Sequence, residues 1–211
     1  MDVKQLLQVG GSLSRANGAQ VNIARAGIGG EQLVSQLLPR YFELSRARNI
    51  FVAASQARTT TTVGLATTHT GLALSNPPGS GTVLVPLAFS MMQDVIQATQ
   101  IEAFALAAGF NAATEVTHTT PLTPRSTRIG ASNTAVGKAD AAATLPTAPT
   151  YVLPIQNTAT ATQNGAGVVV PLEGLFVLDP GAYLVTATPT QASVAGMWFS
   201  IVWAEIDSSV A

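Results

Sequence analysis

The chain carries few residues fit for acid, base or metal chemistry, and its two histidines come first. They sit in matching tripeptides, Thr68-His69-Thr70 and Thr117-His118-Thr119. Imidazole is a common zinc ligand, but neither histidine has a second histidine or an acid at ligand spacing beside it. A metal ion would need three copies of the chain meeting on a three-fold axis. Hydrogen-bonded or exposed loop histidines are the simpler expectation, so no metal and no cofactor is expected. Asp94, Glu102 and Glu115 are close in sequence but on different expected elements, and nothing pairs them as a glycoside hydrolase pairs its carboxylates. No serine lies in G-x-S-x-G, and the glycine runs GTVL and GAGV match neither a P-loop nor a dinucleotide fingerprint. With two histidines and no cysteine the stock of titratable groups is thin, and the chain reads as a non-enzyme. Trp198 and Trp203 could form a sugar platform, but tryptophans within an apolar strand are more often core or interface.

Composition points to a component of an assembly. The 211 residues make one ordinary domain with an appendage, or at most two small domains, and can bury a sizeable core. Charged residues are only 10% of the chain, well below the usual ~25%, while hydrophobic residues at 47% are ordinary. A surface so sparing in charge tends to associate. Without cysteine there is neither a disulfide framework nor a thiolate metal site, which fixes no compartment. No apolar run approaches the ~18 to 20 residues of a membrane span, and MDVKQLLQVGGSLSR lacks the apolar core of a secretory signal. No membrane partner is expected.

Charge is unevenly placed. Residues 1–50 hold six cations against three acids, a net +3, and residues 51–211 hold four against eight, a net −4. A basic arm on an acidic body implies that the arm meets an acidic surface, most simply a protein. Without interleaved aromatic residues the arm does not read as a nucleic-acid binder, so no nucleic acid is expected.

Residues 1–48 read as an N-terminal arm, punctuated by Gly10-Gly11, Gly18, Gly27 and Gly29-Gly30. Short helical turns are expected at Val3 to Val9 and, better, at Glu31 to Leu38, where Leu33 with Leu37 and Val34 with Leu38 fall at i, i+4 before Pro39. Eight helical residues are marginal alone, so this stretch should be ordered by docking. Leu33, Val34, Leu37, Leu38 and Arg40 are its candidate partner-binding residues.

Residues 49–211 read as a mostly β body. Asn49 to Ala54 is apolar enough for a strand, and RTTTTVGLATTHTGLALSNPPGSG is rich in β-branched threonine before its break at Asn76-Pro77-Pro78-Gly79. Thr82 to Met92 alternates, with Val83, Val85, Leu87, Phe89 and Met91 on one face, while Pro86 marks an edge or bulged strand. Ile101 to Phe110 sorts by size, with Phe104, Leu106 and Phe110 opposite Ala103, Ala105, Ala107 and Gly109, a small face that lets another layer approach. Thr117 to Thr120, Thr147 to Pro154, Gly167 to Leu172 and Gly174 to Leu178 complete a set of eight to ten short strands, and Gln156 to Gly167 reads as a polar loop or weak hairpin. Their spacing of roughly 8 to 15 residues predicts an antiparallel β-sandwich or jelly roll.

The organising stretch is LDPGAYLVTATPTQASVAGMWFSIVWAEI, Leu178 to Ile206. Asp179-Pro180-Gly181 has the residues of a type II turn, and Tyr183 to Thr188 follows as a strand. From Gly196 to Ile206 both parities are apolar. Met197, Phe199, Ile201 and Trp203 form the bulkier face, expected in the core, while Trp198, Val202, Ala204 and Ile206 form the other. A sandwich strand needs only one apolar face, so the second must meet the chain's own loops or another copy. The second alternative makes Trp198, Val202 and Ala204 an oligomer interface.

The order TTVGLATTHTGLALSNPPGSG, LVPLAFSMMQ, LDPGAYLVTATPTQ and GMWFSIVWAEI resembles structural proteins of tailed bacteriophages, among them small jelly-roll, tumour-necrosis-factor-like capsid cement or decoration proteins. The resemblance covers about residues 58–206 and carries no catalytic residue. It implies a homotrimer on the capsid surface of a virion that bridges neighbouring major capsid subunits and stabilises the head. The alternatives are a tail, baseplate or fibre-base component, or a carbohydrate- or receptor-binding module using loops such as Asn76 to Gly81 or Gln156 to Gly167.

Overall fold

The structure is a computed structural model describing residues 25–26, 32–33, 39–61, 63–93, 102–110, 113–158, 167–189 and 196–208. The elements in chain order are β1 (Arg25–Ala26), β2 (Gln32–Leu33), α1 (Phe42–Arg46), β3 (Ile50–Ala54), β4 (Thr68–Ser75), β5 (Thr82–Gln93), β6 (Glu102–Gly109), β7 (Thr117–Leu122), β8 (Arg125–Ser126), β9 (Lys138–Thr144), β10 (Thr150–Thr158), β11 (Val168–Pro171), β12 (Tyr183–Ala187) and β13 (Met197–Asp207). The chain divides into two compact units, Met1–Glu43 and Leu44–Ala211.

In the first unit β1 pairs antiparallel with β2. Gln32 and Leu33 are thus in a strand and not in the helix expected over Glu31 to Leu38. Eight residues of helix gain little in water, whereas a paired strand satisfies backbone groups against a neighbour. The helical turn expected at Val3 to Val9 lies outside the described residues.

The second unit is an antiparallel β-sandwich. One sheet has the order β10-β6-β12-β4-β9-β7 and the other β11-β5-β13-β3-β8. Its pairings are nested: β3 with β13, β4 with β12, β5 with β11 and β6 with β10. That is one long hairpin rolled over two sheets, the jelly roll. The insertion between β6 and β10 supplies the additions: β9 and β7 extend the first sheet past β4, and β8 extends the second past β3.

The sandwich interior is built from the bulky face of β13. Met197, Phe199, Ile201 and Trp203 are buried while Trp198, Ser200 and Val202 between them are half-buried, the period of two of a sheet with one covered face. Trp203 stacks on its cross-strand partner Phe51 with ring centroids 6.0 Å apart, and Phe89 stacks on Phe199 at 6.2 Å. Strand β5 is central, not an edge. Opposite β13 its register slips between Ala88 and Pro86, leaving Leu87 as an extra residue. Proline has no N–H for the ladder, and the bulge absorbs that loss. The bulge also switches parity, so the face expected from Val83 to Met91 is split: Leu84 packs in the core before it, and Phe89 and Met91 after it.

The outer face of the six-stranded sheet has a smaller core of its own. Ala73, Ala107, Val116, Ala143, Leu145, Tyr183, Val185 and Ala187 cluster there. The small face of β6 therefore receives the chain's own segments, and a Cβ on Gly109 would overlap the Tyr183 ring. The Tyr183 hydroxyl donates to Thr147 O at 2.6 Å. Phe110, expected with Phe104 and Leu106, lies past the end of β6 and is 67% exposed. Gly174 to Leu178 is a turn, with Leu175 N bonded to Leu172 O at 2.7 Å, followed by a single bridge from Leu178 to Leu84. The Asp179–Ala182 turn forms as expected: Ala182 N donates to Asp179 O at 2.9 Å, and Gly181 takes φ 93°.

Trp203 is fully buried and stacked on Phe51, so Trp203→Ala should cost about 3 to 5 kcal/mol, read as a lowered midpoint in urea denaturation. Trp198→Ala should shift the same midpoint by less than half as much.

Candidate functional site

The outer face of the five-stranded sheet is set by register. One row across the strands holds Val169, Ser90, Ser200 and Ala54, the next holds Pro171, Ala88, Val202 and Val52, and Met92 pairs with Trp198. Each alternates with a core residue on its own strand, so all point away from the sandwich interior. Every one is half-buried or exposed, with Met92 at 46% and Val169 at 71%. None is charged. Ser90 and Ser200 satisfy each other across the strands at 2.6 Å. Met92, Val169 and Trp198 border a shallow cleft of about 400 Å³.

The structure sorts the expected interface residues. Trp198 and Val202 belong to this face and are half-buried. Ala204 is only 1% exposed: it pairs with Ile50 and Val85 and is already covered by its own chain. Among the expected arm residues, Leu33 is in β2 and the Arg40 guanidinium stands over the Tyr41 ring, 5.4 Å from its centroid. Val34, Leu37 and Leu38 lie outside the described residues, as does Asp94.

The histidines are brought into one row that sequence spacing does not reveal. His69 on β4 and His118 on β7 both pair with Ala143 of β9, one on each side. His118 does have acids beside it. Its Nδ1 lies 2.7 Å from Asp140 Oδ2 and its Nε2 3.5 Å from Glu115 Oε1. Glu115 is three residues earlier in sequence, and Asp140 arrives through the β7–β9 pairing, reinforced by a register slip that skips Ala141. Each imidazole nitrogen meets a different carboxylate, so the three groups form a chain of contacts and do not converge on a point. Among the described residues no group of three or more histidines or acids is placed to hold a metal ion. The partner on Nε2 is a carboxylate and not a hydroxyl, so the pair does not activate a nucleophile in the manner of a hydrolase. Burial pushes the Asp140 carboxyl above its ordinary value, and the bond to His118 opposes that rise.

Glu205 is a further buried acid. Its carboxylate accepts from Val136 N at 3.0 Å, Gly137 N at 2.9 Å and Trp203 Nε1 at 3.0 Å. It ties the segment before β9 to the end of β13, a staple signalled in sequence only by an acid inside an apolar strand. The loop Asn76 to Gly81 turns its polar groups inward. Asn76 Nδ2 donates to Thr82 O and Leu178 O, and Ser80 Oγ donates to Asn76 Oδ1. Little of it is left to meet a glycan. Most of the loop Gln156 to Gly167 lies outside the described residues.

His69 is 6% exposed, and burial lowers its pKa from 6.5 to about 4, against a backbone hydrogen bond at Leu72. The folded chain keeps it neutral while the unfolded chain protonates it below pH 6.5. Its contribution is thus present above pH 6.5 and lost as pH falls towards 4, a loss on the order of 3 kcal/mol. Asp140 acts in the opposite sense, its raised pKa favouring the fold at acid pH. Urea midpoints at pH 7.5 and 4.5 should therefore differ more for the parent chain than for His69→Phe; equal differences would remove His69 as the acid-sensitive group.

Compared with known proteins, the chain matches no protein-family model, no curated protein and no solved structure.

Proposed function

We propose that the chain is a structural virion protein, a capsid cement or decoration protein that assembles as a homotrimer and bridges neighbouring major capsid subunits. The observation that carries this reading is the uncharged outer face of β11, β5, β13 and β3. The proposed occupant is a second copy of the chain. A face without charge brings no like-charge repulsion when identical copies meet, and its apolar side chains gain by leaving water. Trp198, with Met92 beside it, is the aromatic anchor such an interface requires. The scarcity of charge over the whole chain and the resemblance of residues 58–206 to phage structural proteins point the same way. In this reading the basic arm, with Leu33, Val34, Leu37, Leu38 and Arg40, anchors the body to an acidic shell, and no catalytic step is involved.

Light scattering at micromolar concentration should give three times the chain mass. Val202→Asp, at the middle of the uncharged face, should leave a folded monomer, and Trp198→Ala should weaken association. A parent chain that runs as a monomer would sink the proposal. Removing residues 1–40 should leave the trimer intact and abolish attachment to shells; attachment undiminished by the truncation would exclude the arm as anchor. An image of labelled particles separates head from tail or baseplate, the rival positions within a virion.

A further inference from the structure

The insertion between β6 and β10 crosses from one sheet to the other. Strand β7 belongs to the six-stranded sheet and β8 to the five-stranded sheet, and only Thr123 and Pro124 separate them. Beside this crossing lies a cleft of about 630 Å³, walled by β7, β9 and β4 on one side and by the segment after β3 on the other. Its volume is in the range of small-molecule sites.

The lining is unlike the rest of the body. Arg58 and Arg125 both border the cleft, two of the four cations found after residue 50, and none of the described acids does, although acids outnumber cations there two to one. Chance placement on an acidic body would not gather the cations so. Thr60, Thr120 and Thr123, each with a hydroxyl, are among the lining residues. Among the described residues these three hydroxyls and the Arg125 guanidinium make no hydrogen bond or ion pair. Among the described residues no aromatic side chain lines the cleft, so they offer no stacking platform for the face of a neutral sugar.

We propose that this cleft binds a carboxylate-bearing sugar, a hexuronate or a sialic acid. A guanidinium offers a planar fork of donors that matches a carboxylate two bonds at a time. Threonine hydroxyls both donate and accept, which suits the neighbouring hydroxyls of a sugar ring. A bare inorganic anion accepts from the arginine and from a hydroxyl near it, but it is too small to span as many of these groups as a sugar ring. Without an aromatic platform, a neutral sugar would have only the hydroxyls. Arg125 pairs with Val52 at the rim of the uncharged face, so the cleft adjoins that face, and binding is read at a fixed oligomeric state.

The test is calorimetric titration of the full chain with D-glucuronate and N-acetylneuraminate, alongside D-glucose and inorganic phosphate at equal ionic strength. At least one acidic sugar should bind roughly tenfold more tightly than both glucose and phosphate. Arg125→Gln should remove that advantage. Thr123→Val should weaken the acidic sugar more than it weakens phosphate. Arg125 is exposed on a two-residue strand, and unchanged near-ultraviolet circular dichroism of the buried Trp203 confirms that the variants are folded. Phosphate binding as tightly as the sugars would reduce the cleft to a simple anion site and overturn the proposal. So would glucose binding equally well, an unaltered Arg125→Gln titration, or no heat with either acidic sugar at millimolar concentration.

Discussion

The antiparallel pairing of β13 with β5 is the interaction on which the rest of the sandwich depends. It runs from Met197 opposite Gln93 to Asp207 opposite Thr82, and β13 also carries β3 on its other side. Every inward side chain of the five-stranded sheet is placed relative to this ladder. The Leu87 bulge is what lets two strands with different needs stay paired. It gives Pro86 a position where no N–H is required, and it turns Phe89 and Met91 inward against Phe199 and Ile201. Trp203 then closes the end of the core, with its indole N–H held by Glu205 and its ring on Phe51.

The two sheets treat their outer faces differently, and this asymmetry organises the functional reading. The six-stranded sheet covers itself: small residues on β6, β4 and β9 make room for Tyr183, Val116 and Leu145, and the residual space admits a buried neutral histidine. The five-stranded sheet instead presents Trp198, Met92, Val169 and Val202 without a charge among them. In the proposed reading, this face is where another copy of the chain would sit.

Sequence made the period-two elements legible. The parities of β13, the reversal at Asp179 to Ala182 and the large-against-small faces of β6 follow from local side-chain chemistry. What stayed hidden depends on which strands become neighbours. Strand β9, Lys138-Ala139-Asp140-Ala141-Ala142-Ala143-Thr144, has poor intrinsic strand preference, and it is a strand because it lies between β4 and β7 where alanines fit. The approach of Asp140 to His118, the cradle around Glu205 and the cleft at Thr123 all follow from the insertion between β6 and β10. Simple alternation places Ala204 outward, yet between its cross-strand partners Ile50 and Val85 it is only 1% exposed. At Gln32–Leu33 a two-residue strand stands where a helix was expected, because its pairing partner Arg25–Ala26 cannot be read from local spacing.

The nested hairpin has a consequence for synthesis. Ala54, among the first residues of the sandwich to leave a ribosome, has its partner at Ser200, among the last. Until β13 emerges, β3 and β5 have no strand between them, and Phe51 and Phe89 have no ring to stack on. From β3 to β11 the nascent chain therefore grows with the five-stranded sheet divided, and its decisive contacts have the large sequence separations that slow folding and leave strand edges open to other chains.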